Sequence, residues 1–414
     1  MGQDKIEKTY LTLFSLIPIS IIIGSAISLF NIFLILIFFL IFTAKHLQKE
    51  IFKNSTVICL SIIYLYLIFN SFIAINFEIS ASRNFGFIRF ILLFLAINYL
   101  FSFSDKTKKI FIFWSLVILI VAFDSFIEFF LGRNILGYGE LYGERIVSFF
   151  KDEPIVGGFI NGFIFIIIGF YFDQFIKKDL KYKIFLCAII LILFFAVVIT
   201  GERSNTIKLF LGLFLFFVLN KELGLKTKII TIGCIFTFFF IILVNSNYLK
   251  SRYYGGFIYH LLDSERLSIF LQKQQYFELY KSGYAVFKDY PIFGVGNKNY
   301  RVVTIRDEFI KKDYEVSTHP HQVYFEILSE HGIFGTVILL SLIFYMVFKN
   351  LKIIILSRNS IQLGSLIFLI INFIPLLPSG SFFGDLNSTL FWLNFSVMYA
   401  CSSKTNIFKN NSKI

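Results

Sequence analysis

Twelve apolar runs divide the chain of 414 residues, and they constrain its fold more than any other feature. They lie near residues 11–24, 26–43, 55–75, 86–103, 110–130, 155–175, 183–200, 206–219, 229–245, 333–348, 361–376 and 388–402. A bilayer core about 30 Å thick needs roughly 20 apolar residues per helical crossing, and lipid forces each backbone to bond internally. A β-barrel would instead show alternating apolar residues. We therefore predict an all-α polytopic membrane protein with about twelve transmembrane helices.

The composition excludes an ordinary soluble domain, because 57% of the residues are hydrophobic and 16% are charged. Soluble domains average about 45–50% apolar and about 25% charged residues. The net charge of +13 would also fit a nucleic-acid partner. In a membrane protein, however, lysine and arginine set the orientation of the chain. We therefore expect a lipid bilayer as the partner and no nucleic acid.

Basic residues cluster in alternate connections between the runs. The lysine-rich connections are 44–54, 104–109, 176–183, 220–228, 349–360 and the C-terminal tail. The short connections between them carry few cations, and most of these are arginines. Cytoplasmic loops of membrane proteins are enriched in basic residues. This pattern predicts that both termini are cytoplasmic.

The connection between the ninth and tenth runs, residues 246–332, is much longer than the others. A structureless loop of that length is uncommon in a compact domain. Ser264 could cap a helix that continues to Asp289, and Pro291–Gly296 is rich in turn residues. We expect three regions: nine spans in residues 1–245, a large outer loop containing helices in 246–332, and the last three spans with a cytoplasmic tail in 333–414.

Three of the five histidines lie close together at the end of the large loop: His319, His321 and His331. Histidine titrates near neutral pH and can act as a general base. A histidine where a loop enters a helix can also cap or pack, and this alternative stays open for each of them. Their spacing includes no cysteine or carboxylate partner at an interval familiar for zinc. No metal site is expected.

Four arginines are predicted on the same side of the membrane as these histidines: Arg89, Arg145, Arg203 and Arg266. Arginine keeps its charge, and its planar donors match phosphate oxygens. The alternative is that each one reaches for lipid headgroups. Four together favour an anionic ligand. Asp124 and Glu128, one helical turn apart on the fifth run, could relay protons, but we expect them to pair with arginines.

The residues His321-Gln322 are followed after nine residues by Gly332 and, after two more, by Gly335. This string resembles the signature of the bacterial O-antigen ligases, which is His, then Asn, Ser or Gln, nine residues and Gly-x-x-Gly. The segment Pro291–Gly296 resembles the Pro-x-x-Gly-x-Gly segment of that family. Twelve spans with one large loop before the tenth are also the family's layout, so the resemblance covers nearly the whole chain.

The arginines resemble the family less closely. Arg203 resembles an arginine in a short turn of the family, although Ile207 stands where the family has leucine. Arg145, with Pro154 downstream, resembles a second recurrent arginine segment. The family's loop arginine would fall near Gln275, where this chain has no arginine. The nearest one is Arg266, nine residues earlier, and the resemblance therefore assigns the role to Arg266.

The resemblance implies a GT-C-like glycosyltransferase in the bacterial inner membrane, with its active site at the periplasmic face. The donor would be a glycan on undecaprenyl pyrophosphate and the acceptor a sugar hydroxyl of lipid A-core. His321 would be the catalytic base. The pyrophosphate-binding residues would be Arg89, Arg145, Arg203 and Arg266. The supporting residues would be His319, Gln322 and Glu330. No cofactor is implied, because the pyrophosphate bond already activates the donor.

Two other functions stay open. A Wzy-type polymerase would share the donor and the membrane layout, but its acceptor would be a second lipid-linked glycan. A transporter of lipid-linked sugars would show internal repeats and short outer loops. The long loop, with its histidines and nearby arginines, favours an enzyme.

Overall fold

A computed structural model describes residues 2–43, 49–139, 145–151, 153–258, 275–306 and 314–409. Within these ranges the regular structure is helical, without a β-strand. The predicted all-α class is therefore confirmed. Ser264, Arg266 and the rest of the predicted helix before Gln275 lie outside the described residues.

Eighteen α-helices follow one another along the described chain. The first nine are α1 (Gln3–Ser15), α2 (Ile17–Ile23), α3 (Ser25–Thr43), α4 (Ser55–Phe72), α5 (Phe77–Phe85), α6 (Ile88–Phe103), α7 (Lys108–Leu131), α8 (Val156–Phe175) and α9 (Leu180–Ile199). The others are α10 (Arg203–Leu219), α11 (Leu225–Asn245), α12 (Asn247–Leu249), α13 (Gln275–Asp289), α14 (Tyr300–Ile305), α15 (Val323–Phe348), α16 (Leu351–Leu356), α17 (Ser360–Ile371) and α18 (Asp385–Ala400). Single 3-10 or π turns lie at Lys49–Lys53, Ser148–Phe150 and Lys250–Ile258.

Eight stretches of the described chain are long and apolar enough to cross a membrane, and a ninth arises if the bent pair α1–α2 counts as one span. Each of the twelve predicted runs contains a helix. The helices α10, α17 and α18 are shorter, with 17, 12 and 16 residues. The chain is thus a multi-pass membrane protein, while the count of twelve crossings stays a prediction.

The helix α8 lies at the centre of the bundle, and most of its residues are buried. It crosses α17 at very short distance. A Cβ on Gly169 would lie 2.2 Å from the carbonyl oxygen of Ser360, and one on Gly364 would lie 2.1 Å from that of Phe165. Small residues allow such backbone contact between membrane helices. The contact lies toward the C-terminal end of α8 and the N-terminal end of α17, so the opposite ends of the two helices border the site described below.

The helices α2 and α3 form a hairpin near the N-terminus, since they pack together and are separated only by Gly24, whose φ is +141°. The helix α13 covers the C-terminal part of the helix predicted up to Asp289. The helix α15 begins at Val323, before the predicted start of the tenth span at residue 333, and it is interrupted at Gly332. That interruption organises the outer part of the molecule.

Candidate active site

The segment Pro291–Gly296 is inserted into α15 at Gly332, where the backbone has φ +61° and ψ −170°. Four backbone hydrogen bonds join the two segments: Val295 N to Ser329 O (3.0 Å), Gly296 N to Glu330 O (2.9 Å), Ile333 N to Pro291 O (2.8 Å) and Phe334 N to Ile292 O (3.1 Å). A broken helix leaves amides and carbonyls without partners, which is costly away from water. The inserted segment supplies those partners.

Glycine is required at several points of this insertion. A Cβ on Gly294 would lie 2.4 Å from the carbonyl carbon of Glu330, and one on Gly332 would lie 2.4 Å from the carbonyl of Ile292. A Cβ on Gly335 would lie 1.8 Å from the hydroxyl oxygen of Tyr66. Gly294 and Gly332 therefore allow the two segments to approach each other, and Gly335 leaves room for Tyr66 of α4.

The helix α15 begins directly after the histidine motif. The side-chain oxygen of Gln322 accepts hydrogen bonds from the amides of Tyr324 (2.7 Å) and Phe325 (3.2 Å), so Gln322 is the N-cap of α15. His321 precedes it with a φ of +54°, and its carbonyl accepts a hydrogen bond of 2.8 Å from the amide of Ser379. The segment before α18 thus holds the backbone of His321.

The rings of His321 and His319 are in contact, with their centroids 3.9 Å apart and their planes tilted by 36°. The ring of Tyr276 on α13 lies 5.7 Å from His321. Burial lowers the pKa of His321 below its ordinary value and lowers the pKa of His319 to about 3. No described residue forms a hydrogen bond with a ring nitrogen of His321. Its imidazole is therefore neutral at pH 7, and a nitrogen lone pair is available to a substrate.

A cavity of about 250 Å³ lies against His321. Four cationic side chains line it: Arg145, Arg203, Lys208 and Arg252. Most of the remaining wall comes from the N-terminal end of α8, the C-terminal end of α17 and residues 378–391, and Glu202 adds a carboxyl group. The excess of cations suits an anionic ligand, and the neutral His321 beside them can accept a proton from a substrate in the same cavity.

Two of the arginines are positioned by the turn between α9 and α10. Arg203 is the first residue of α10, and Arg252 lies in the π turn after α12, where its Nε donates to the carbonyl of Gly201 at 3.1 Å. Glu202 accepts a hydrogen bond of 2.6 Å from the amide of Gly157 on α8. Desolvation raises the pKa of Glu202 to about 7. The turn therefore joins α8, α10 and the start of the large loop.

Arg145 is positioned by the two carboxylates of α7. Glu128 accepts hydrogen bonds from the amides of Val147 (2.9 Å) and Ser148 (2.6 Å), and Asp124 accepts one from the amide of Ile135 (3.0 Å). Among the described residues neither carboxylate forms an ion pair with an arginine, so the expected pairing is wrong. Backbone amides of a folded loop take the place of the guanidinium.

The buried side chains of Lys298 and Glu326 hold the segment that contains Ser379, Ser381 and Phe382 beside His321. Lys298 donates to the hydroxyl of Ser381, which donates to Glu326 on α15, and Glu326 also accepts from the amide of Phe382 at 2.8 Å. Burial lowers the pKa of Lys298, and the nearby Glu326 opposes that shift. The bond from Ser379 to His321 depends on the placement of this segment.

Residues 188–340 match the family model of the O-antigen ligases, Wzy_C. The match begins in α9, ends in α15 and contains Arg203, Arg252 and His321 together with the inserted segment. It confirms the resemblance found in the sequence and is consistent with membership of the O-antigen ligase family. No curated protein matches the chain.

The O-antigen ligase domain does not form the cavity alone, since Arg145 and residues 378–391 come from outside it. Of the sequence-predicted arginines, Arg145 and Arg203 meet at the cavity. Arg89 does not line it and forms an ion pair of 3.1 Å with Asp385. Arg266 lies outside the described residues.

The supporting residues of the O-antigen ligase domain have different surroundings. His319 lies beside His321, and its Nδ1 is 2.9 Å from the hydroxyl of Thr318. Glu330 is buried at the helix break, where it accepts from the amide of Tyr300 at 3.4 Å, and it does not line the cavity.

Arg252 lines the cavity but was not predicted from the sequence, because the family spacing pointed to Arg266. Its position just after the ninth span, on the predicted outer side, was a usable signal.

Proposed function

We propose that the chain is an O-antigen ligase that transfers a glycan from undecaprenyl pyrophosphate to a sugar hydroxyl of lipid A-core. The reaction takes place at the periplasmic face of the bacterial inner membrane, as in a GT-C-like enzyme, and uses no metal. The match to the O-antigen ligase model supports this assignment. The observation that carries it is the meeting of His321, Arg145, Arg203 and Arg252 at one cavity.

In this reaction the acceptor oxygen bonds to the anomeric carbon of the donor, and the bond from that carbon to the pyrophosphate oxygen breaks. Direct displacement inverts the anomeric carbon. His321 accepts the hydroxyl proton, which a neutral imidazole can do and an imidazolium cannot. The arginines bind the pyrophosphate and offset the charge that grows on it as it leaves.

The test is transfer by the purified protein with a defined lipid-linked donor. We expect His321→Ala to reduce the rate by about 10²–10⁴-fold, the usual contribution of a general base. The control is Lys281→Ala, an exposed residue on the same outer loop that pairs with Glu278. Full activity in a folded His321→Ala protein would refute the assignment of the base.

The choice of acceptor separates the ligase from its alternatives. We expect transfer to lipid A-core. Transfer only to a second lipid-linked glycan would identify a polymerase, which the same family model would also fit. Transfer in detergent requires no sealed membrane, so any product there excludes a pure transporter.

A further inference from the structure

A second cavity, of about 280 Å³, lies between the α2–α3 hairpin, the Phe149–Phe150 turn and the start of α18. Ile155 and Leu386 line both this cavity and the one beside His321, so the two share a wall. Pockets for small molecules occupy about 300–1,000 Å³. The second cavity is therefore sized for one compact group close to the reacting centre.

The lining of this second cavity combines polar and apolar groups. Glu153 and Asp385 supply carboxylates, and Phe149 and Phe150 supply aromatic surface. Lys151 is the cation among its lining residues. An apolar polyprenyl chain laid over these charged side chains would take them out of water, so the lining disfavours such a chain. A ligand that fits this lining is a ring with an apolar face, which can lie on the aromatic side chains, and with hydroxyl groups that donate to the carboxylates.

Asp385 is prepared as an acceptor. Arg83 and Arg89 both bond to its Oδ1, with 3.1 Å from Arg89 Nη2. Among the described residues no hydrogen bond reaches Oδ2. The two arginines fix the orientation of the Asp385 carboxylate through its Oδ1, which leaves Oδ2 for a ligand. Arg89 thereby has a role that differs from the pyrophosphate binding expected of it.

We propose that this second cavity binds a sugar residue next to the reacting one, with its hydroxyls donating to Asp385 and Glu153. The proposal rests on the proposed function for the source of that sugar. A sugar of the acceptor glycan and a sugar of the donor glycan present the same chemistry. Binding and kinetics together distinguish the two.

Binding is tested first, without the reaction. Saturation-transfer NMR on the full-length protein in detergent would use methyl glycosides of common hexoses and heptoses as probes. We expect signals from at least one glycoside. Asp385→Asn and Glu153→Ala should each lower the affinity for that glycoside about tenfold. The matched control Glu278→Ala, an exposed carboxylate on α13, keeps them. No glycoside signal, signals unchanged in both variants, or displacement by inorganic phosphate would each overturn the proposal.

Kinetics then give the source. Because Asp385→Asn leaves two arginines without their partner and could harm folding, Glu153→Ala, an exposed residue, provides the second variant. We expect about a tenfold higher KM for one substrate with little change in kcat: the acceptor if the sugar is the acceptor's, the donor if it is the donor's. Unchanged KM values for both substrates would refute the sugar subsite. Loss of transfer in the wild type would instead refute the proposed function and leave the binding result standing.

Discussion

The insertion of Pro291–Gly296 into α15 makes Gly332→Ala the most informative single substitution. The backbone at Gly332, φ +61° and ψ −170°, belongs to a region that is essentially restricted to glycine. A Cβ there would also lie 2.4 Å from the carbonyl carbon and oxygen of Ile292. Because these are backbone atoms, no side-chain rotation relieves the contact, and the inserted segment must move away.

The magnitude follows from two contributions. A non-glycine residue in such a conformation costs about 1–3 kcal/mol. Displacing the segment breaks the bonds from Ile333 and Phe334 to Pro291 and Ile292, each contributing about 1 kcal/mol. We therefore expect Gly332→Ala to lower the free energy of unfolding by about 3–5 kcal/mol.

The measurement is unfolding of the purified protein in detergent, followed by tryptophan fluorescence, with transfer activity measured alongside. The matched control is Gly233→Ala on α11, where a Cβ would meet nothing within 4 Å. In a helix interior that change is stabilising by up to about 1 kcal/mol. Equal stability of the two alanine variants would refute the inference that Gly332 is required by the insertion.

Two further expectations concern the cavity. Arg252→Ala should reduce kcat/KM for the lipid-linked donor by roughly tenfold to a hundredfold, since a hydrogen bond to a charged group contributes about 1.5–3 kcal/mol. The control is Arg306→Ala, because Arg306 is an exposed arginine at the end of α14 and does not line the cavity. Equal rates in the two variants would show that Arg252 is not part of the site. Burial lowers the pKa of His321, and a lowered pKa keeps the base unprotonated at lower pH, so kcat/KM should fall with acid only below about pH 6.5. An acidic limb at or above that pH, measured with the wild type, would contradict the expectation.

The helices could be predicted from the sequence because the bilayer imposes a length on apolar runs. All twelve runs contain helices, and Gly24 lies at the break between the first two of them. The start of α15 was placed too late because its first turns, from Val323 to His331, carry polar residues and lie outside an apolar run. Periodicity alone does not show that a polar segment continues a membrane helix across a break.

The candidate site was predicted in part. The histidine motif identified His321, and charge placement put Arg145 and Arg203 on its side. The pairing of Asp124 and Glu128 with backbone amides could not be predicted, because it depends on where Ile135, Val147 and Ser148 lie against α7. The partner of Arg89 was equally hidden, since Asp385 is almost three hundred residues away in the chain.

The cavity beside His321 has a consequence for the order in which the protein is made. Residues 378–391 form part of its wall, and the amide of Ser379 supports the backbone of His321. Synthesis proceeds from the N-terminus, so the arginines enter the membrane well before this segment leaves the ribosome. A chain still under synthesis can therefore present its cations to the lipid surface but cannot enclose a substrate. The site closes only when the last helix, α18, is in place.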